Sequence, residues 1–281
     1  MRGKIARFGW QRLATLLVLL VGGLQVLAAD RFITLASTTS TQNSGLFEYL
    51  LPKFSKKTGI EVRVIAVGTG QAIKLAEHGD ADLLLVHDKV GEMKFVKQGY
   101  GINRREVMYN DFIIVGPTGD PAAVRGLNDA AEAFRRIAGA GANFVSRGDD
   151  SGTNRQELRL WEAAGIDAKA ASGKWYKEVG AGMGATLNTA AGMDAYTLTD
   201  RATWVAFRNR ANLEVLAEGD ERLFNQYAVI EINPAVHPSV KSAEAKAFAD
   251  WLVSSEGQDA IGAFAVDGQV LFYPNAGATE R

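Results

Sequence analysis

The sequence predicts an α/β fold of two lobes, each a mostly parallel sheet flanked by helices, joined by two strands that cross between them. Three observations carry that reading. Strand-like and helix-like stretches alternate from Phe32 to Gln98 in units of about thirty residues or fewer. The alternation restarts after an apolar run, Asn110 to Pro117. A late strand, Tyr227 to Ile232, then returns before two closing helices. The expected lobes are 30–111 with 228–281, and 112–227.

The chain opens with a segment that is not expected in the fold. Arg2, Lys4, Arg7 and Arg12 precede an apolar run from Leu13 to Leu27, no acidic residue occurs before Asp30, and Val26-Leu27-Ala28 is a small-residue cleavage signal. That is the pattern of a secretory signal peptide over 1–29, cut after Ala28 or Ala29. The run is short for a bilayer span, so a permanent anchor is the weaker reading. With no cysteine in the chain, lipid attachment through cysteine, disulfides and thiolate metal sites are all excluded. The expected destination is a soluble exported compartment, the bacterial periplasm.

The elements follow in order. Phe32 to Ala36 reads as a strand that ends in the hydroxyl run Ser37 to Thr41; Leu46, Phe47, Leu50, Leu51 and Phe54 have helical spacing, stopped by Thr58-Gly59. Glu61 to Val67 alternates as a strand, meets Gly68-Thr69-Gly70, and gives way to a short helix ending at His78. Leu83 to Val86 is a buried strand and Val90 to Gln98 a helix. After the Asn110–Pro117 strand come a helix from Asn128 to Ile137, a strand from Asn143 to Val145 and a helix from Asn154 to Ala164. Trp175 to Val179 is a strand, Ala185 to Met193 a helix, and Tyr196 to Leu198 a strand closed by Asp200. The last two helices are Ala243 to Leu252 and Glu256 to Phe264.

Without the four early cations, 27 basic residues face 32 acidic ones, a mature charge of about −5. That argues against a nucleic-acid partner and makes any anion site a local construction. The stretch best suited to build one is Ser146-Arg147-Gly148-Asp149-Asp150-Ser151-Gly152-Thr153, placed between a strand and a helix. The first N–H groups of a helix lack internal partners and carry partial positive charge. Glycines allow close backbone approach, and Arg147 adds a donor fork that keeps its proton. Ser37 to Thr41, Gly68 to Gly70 and the glycine-only run Gly180 to Ala185 share the design of strand, small residues and helix start. Ordinary helix capping would explain any one of them; several at consecutive strand ends point to a common ligand. Asp149 and Asp150 are expected to cap the helix or hold Arg147, because like charges in a dry site repel.

Other motifs carry less. Gly180-x-Gly182-x-x-Ala185 with Asp200 imitates a dinucleotide fingerprint but falls late in an exported chain. Gly68-Thr69-Gly70 lacks the following Gly-Lys-Ser/Thr of a nucleotide phosphate loop, and Gly148 to Gly152 is not Gly-x-Ser-x-Gly. A secreted hydrolase using Ser151 would need its base from three histidines. His78 and His237 are expected to face solvent, and His87-Asp88 is the one adjacent pair that could bind a metal. Trp161, Trp204 and Trp251 sit at core-like helical positions.

The chain resembles the periplasmic tungstate-binding proteins of TupA-type importers over essentially its whole mature length. The resemblance is carried by Ser37-Thr38-Thr39-Ser40-Thr41-Gln42-Asn43-Ser44-Gly45-Leu46, Val67 to Ala72, Ser146 to Thr153, Gly182 to Leu187 and Tyr196 to Arg201. One departure is Ser37 where the family has threonine, and the hydroxyl is kept. The resemblance implies a two-lobed periplasmic binding protein-like fold of type II. It implies no enzymatic activity and no cofactor, and a monomer that binds tungstate, or else molybdate, and serves a membrane permease driven by an ATPase. By the motif match, Thr38, Thr39, Ser40 and Thr69 would contribute from one lobe; Arg147, Ser151, Thr153 and the backbone near Met183, Gly184 and Ala185 would contribute from the other. The resemblance also makes Arg147 the residue that separates tungstate from its close relatives. Phosphate is the competitor, since phosphate-binding proteins have a similar Asp-x-Ser-Gly-Thr run. Tungstate is a proton-free dianion that needs only donors, whereas hydrogen phosphate needs an acceptor facing it. An Asp149 or Asp150 turned into the cleft would favour phosphate; both turned to Arg147 or the helix start would favour the dianion.

Overall fold

The computed structural model describes residues 31–277, and the expected signal segment lies outside them. In chain order the strands and helices begin β1 (Phe32–Thr38), α1 (Thr39–Asn43), α2 (Leu46–Thr58), β2 (Glu61–Val67), α3 (Thr69–His78), β3 (Leu83–Val86), α4 (Lys89–Lys97) and β4 (Gly101–Pro117). Next come α5 (Ala130–Gly139), β5 (Phe144–Ser146), α6 (Gly152–Ala164), β6 (Tyr176–Glu178), α7 (Met183–Met193), β7 (Thr197–Asp200), α8 (Arg201–Ala206) and β8 (Leu213–Ala217). The chain closes with β9 (Phe224–Ile232), α9 (Ser242–Val253), α10 (Ser255–Gly262), β10 (Ala265–Val266), β11 (Gln269–Val270) and β12 (Tyr273–Pro274).

β2, β1 and β3 run parallel, the part of the sheet that strand–helix alternation foretells. β9, β4 and β12 continue it antiparallel, so the whole is a mixed sheet. β4 is the long element: its first half pairs β9, and its second half pairs β7 and β8, both antiparallel. β5 and β6 form a short parallel pair, tied to the start of β7 by a bridge from Phe144 to Tyr196.

The core explains why these segments pair. Successive strand residues point to opposite faces. Ile33 and Leu35 of β1 join one apolar cluster with Phe54, Phe248 and Trp251, while Ala36 joins another with Ile73 and Phe95. In the second half of β4, Phe112 and Ile114 meet Phe134, Phe144 and Trp161; Ile113 and Val115 meet Met183, Leu187 and Trp204. Each stretch of sheet is thus covered by helices on both faces. The two pairs of clusters change over within β4, between Met108 and Phe112, and near the start of β9. The three tryptophans expected in the core, Trp161, Trp204 and Trp251, are buried.

Differences from the sequence reading have local causes. The first half of β4 is charge-rich, and its charges are answered one by one: Arg104 by Glu92, and Arg105 by Glu231 and Asp250. α1 is a five-residue polar turn of helix where a hydroxyl loop was expected. His237 is half-buried, stacked beside Tyr100 with centroids 6.3 Å apart, contrary to a solvent-facing expectation; His78 is exposed.

Candidate functional site

Four helix starts converge beyond the strand ends. α1 begins after β1 with Thr38 as its cap, whose Oγ1 accepts from the Thr41 N–H; Thr38 Oγ1 also lies 3.2 Å from Ser40 Oγ. α3 and α7 are capped by Gly68 and Gly182, with no side-chain oxygen on their first N–H groups. α6 is capped by Ser151, whose Oγ accepts from the Asn154 N–H at 3.2 Å.

The loop before α6 is folded by named constraints. Gly148 and Asp150 take the left-handed conformation (φ 58° and 55°), and a Cβ on Gly148 would press on Glu178 at 2.9 Å. The Arg147 carbonyl accepts from the Gly180 N–H at 2.8 Å, which ties this loop to the run entering α7. Beneath it, Glu157 accepts from Ser146 Oγ (2.5 Å), Tyr176 Oη (2.8 Å) and Trp161 Nε1 (3.0 Å). Burial pushes the Glu157 carboxyl up to about 7 despite these donors.

Arg147 is the centre of the cluster. Its side chain is 3% exposed, and its Nη2 lies 3.4 Å from Thr39 Oγ1 at the mouth of α1. A Cβ on Gly182 would sit 3.8 Å from the same Thr39 oxygen, so the α7 start faces Thr39 as well. Asp149 Oδ2 accepts from Arg147 Nη2 (2.7 Å) and Nε (3.2 Å), and its Oδ1 accepts from the Ser151 N–H (3.2 Å). Asp150 is turned away to Arg155, accepting from Nε at 2.8 Å and Nη2 at 2.9 Å. Both aspartates therefore serve the arginines and the helix start.

Thr69 is fully buried, and its Oγ1 accepts from the Gly152 N–H at 2.8 Å, joining the α3 and α6 starts directly. Thr153, 1% exposed, carries an Oγ1 with no partner, a costly state for a hydroxyl that faces nothing. Thus Thr38, Thr39, Ser40, Thr69, Arg147, Ser151 and Thr153 come together. Gly184 is half-buried and Ala185 exposed, so of the α7 start it is Gly182 that comes nearest to Thr39.

His87 is the neighbour that sequence reasoning set aside. Asn225 donates through Nδ2 to Asn110 Oδ1 (2.6 Å), which leaves Asn225 Oδ1 to accept from His87 Nδ1–H (2.9 Å). The other ring nitrogen, Nε2, then faces Ser40 Oγ at 3.4 Å as an acceptor. Burial holds the ring neutral, its pKa pushed down to about 4. A Cβ on Gly152 would meet His87 Cε1 at 2.7 Å, so glycine is required for the approach. Among the described residues no group of three histidine or acidic side chains gathers as a metal site. His87 and Asp88 point to different partners, and Ser151 Oγ serves the helix start, not a histidine.

A cavity of about 660 Å³ opens beside His87, lined by Asp88, Lys89, Glu106, Tyr109, Arg159 and Phe224 among others. Its cations share the lining with the carboxylates of Asp88 and Glu106, whereas in the Arg147 cluster the two aspartates are taken up by arginines and the helix start. Among the described residues no helix is long and apolar enough to cross a membrane.

Comparison with known proteins shows the family. Residues 27–256 match the PBP superfamily domain. The tungstate-binding protein TupA of Peptoclostridium acidaminophilum is 45% identical over 259 residues, 91% of this chain and 90% of that one. The solved tungstate-binding protein TupA from Desulfovibrio alaskensis G20 superposes with a TM-score of 0.75 at 45% identity, covering 88% of this chain and 99% of that one. The solved tungstate ABC transporter protein from Geobacter sulfurreducens gives 0.76 at 47% identity, with 84% and 100% covered.

Proposed function

We propose the function of this chain from the family to which it belongs: it is a member of the PBP superfamily and of the TupA-type tungstate-binding proteins. It is a substrate-binding protein that captures tungstate and delivers it to an ABC-type importer, and it is not an enzyme. It acts in the periplasm as a monomer, handing its anion to a permease driven by an ATPase. Lobe one comprises 30–111 and 228–281, and lobe two 112–227. The anion docks on the helix mouths of one lobe, and the other closes by a hinge motion.

The observation that carries the reading is the buried guanidinium of Arg147 reaching Thr39 across the cluster, with Asp149 bound to Arg147 and the helix start. Such a site offers donors from Thr38, Thr39, Ser40, Thr69, Arg147, Ser151, Thr153 and the α7 start, with Gly184 and Ala185 at its rim. Asp149 and Asp150 are engaged by Arg147, the helix start and Arg155 and not turned to a guest, which favours a fully deprotonated dianion over hydrogen phosphate. Closure excludes water and strengthens each charge-assisted bond. A thermal-shift panel of tungstate, molybdate, chromate, sulfate and phosphate tests it, because a tight ligand raises apparent stability by mass action. Tungstate should give the largest rise and phosphate none; a phosphate shift equal to that of tungstate would refute the reading.

A further inference from the structure

We propose that Asp88 is a positioning residue for the closed anion site: it clasps α6, the helix whose start carries Ser151 and Thr153, and thereby sets how long the anion stays bound. The inference rests on the reading that the two lobes close over the anion.

Asp88 sits where α4 begins, the position at which an aspartate ordinarily caps its own helix. Here it makes no such bond. Glu92 reaches back to it instead, its Oε1 accepting from the Asp88 N–H at 2.9 Å while Oε2 is held by Arg104 Nε at 2.9 Å. The Asp88 carboxylate, 2% exposed, reaches α6: Oδ2 accepts from Arg155 Nη1 at 2.7 Å and Oδ1 from Arg159 Nη1 at 3.1 Å. Arg155 and Arg159 lie one helical turn apart, so a single carboxylate spans one face of α6. Arg155 in turn holds Asp150 in the anion loop through two parallel bonds.

Two glycines make room for this. A Cβ on Gly91 would meet Asp88 Oδ2 at 2.8 Å and Arg155 Nη1 at 3.0 Å, and one on Gly70 would collide with Asp150 Oδ2. The Gly70 N–H also donates to the Asp150 carbonyl at 3.4 Å. The chain Asp88–Arg155–Asp150 thus runs from the 30–111 segment to the Arg147 loop without offering the anion an atom. Such a clasp acts on release more than on capture, because it forms only once the faces have met.

The test compares wild type, Asp88→Asn, Asp88→Glu and the double variant Arg155→Gln/Arg159→Gln. Tungsten release into excess molybdate is followed by rapid filtration and elemental analysis, association by the same method, and ligand-free compaction by small-angle scattering. Asp88→Asn and the arginine pair should each speed release at least tenfold and leave association within twofold, with a larger ligand-free radius of gyration. Asp88→Glu should recover most of the slow release, and adding Asp88→Asn to the arginine pair should change nothing further. Release within twofold of wild type in both disabled variants overturns the clasp while leaving the function intact. Absence of tungstate binding by wild type would instead sink the proposed function, and the scattering comparison alone would then decide the clasp. The triple variant, in which no buried carboxylate is left unpaired, together with equilibrium unfolding of each variant, keeps the test independent of any folding defect.

Discussion

Replacing Arg147 by glutamine removes the charge at the centre of the cluster and does a second thing. Asp149 accepts from Arg147 at 2.7 and 3.2 Å, so the substitution frees a carboxylate beside the anion. Truncating one partner of a buried, hydrogen-bonded charge pair costs about 2–5 kcal/mol, or roughly thirtyfold to several-thousandfold in affinity. With the guanidinium only 3% exposed and the guest a dianion, the upper half of that range is expected, about a thousandfold. The double variant Arg147→Gln/Asp149→Asn separates the two parts: it should regain about tenfold, because the repulsive carboxylate is gone while the lost donor is not. Calorimetric titration with tungstate, by displacement of a weaker oxyanion where direct titration is too steep, reads both. An Arg147→Gln affinity within threefold of wild type would show that the guanidinium does not touch the anion.

Four further outcomes follow from the geometry. Thr153→Val deletes a buried hydroxyl that has no partner in the protein, so stability should hold or rise slightly while tungstate affinity falls about tenfold; unfolding and calorimetry read the two separately. Gly152→Ala places a methyl group against His87 Cε1, and tungstate binding measured by calorimetry should weaken at least tenfold, with ligand-free stability lowered by about 1–3 kcal/mol in denaturant unfolding. Glu157 has its pKa raised from 4.5 to about 7, so its protonated form is favoured in the fold; that contribution is whole below pH 4.5 and lost as pH rises through 7. Glu157→Gln should accordingly flatten the decline in stability between pH 5 and 8 by up to about 3 kcal/mol, and denaturant unfolding across that range checks it. His87 is lowered from 6.5 to about 4, so it stays neutral above pH 5, and tungstate affinity should not change across pH 5.5–8 through this ring; His87→Ala should weaken binding a few-fold by releasing Ser40, read by calorimetry.

How much of this was legible before the structure depended on where the physics is local. The helix starts near Ser151 and Gly182 could be read because hydroxyls and glycines follow strand-like runs, a signal contained in a few adjacent residues; the short helix after Thr38 could not, its residues being polar throughout. The β1, β2 and β3 strands were legible for the same reason. The first half of β4 was not: its Arg104 and Arg105 are satisfied by Glu92, Glu231 and Asp250, partners up to about 145 positions away, and no window of sequence displays that. His87 was passed over for a like cause. A lone histidine beside an aspartate says nothing of Asn225, which lies 138 residues on and fixes its tautomer. The orientation of Asp149 and Asp150 was left as a fork in the sequence, and the contacts to Arg147, Ser151 and Arg155 resolve it toward the arginines.

The account stands most directly on the position of the heavy atom. In crystals grown with tungstate, the tungsten anomalous signal should give one strong peak among Thr39, Thr69, Arg147 and Thr153, at the first turn of α7. A peak instead in the wider cavity bounded by Tyr109, Phe224 and Arg159, with the Arg147 cluster unchanged, would contradict it.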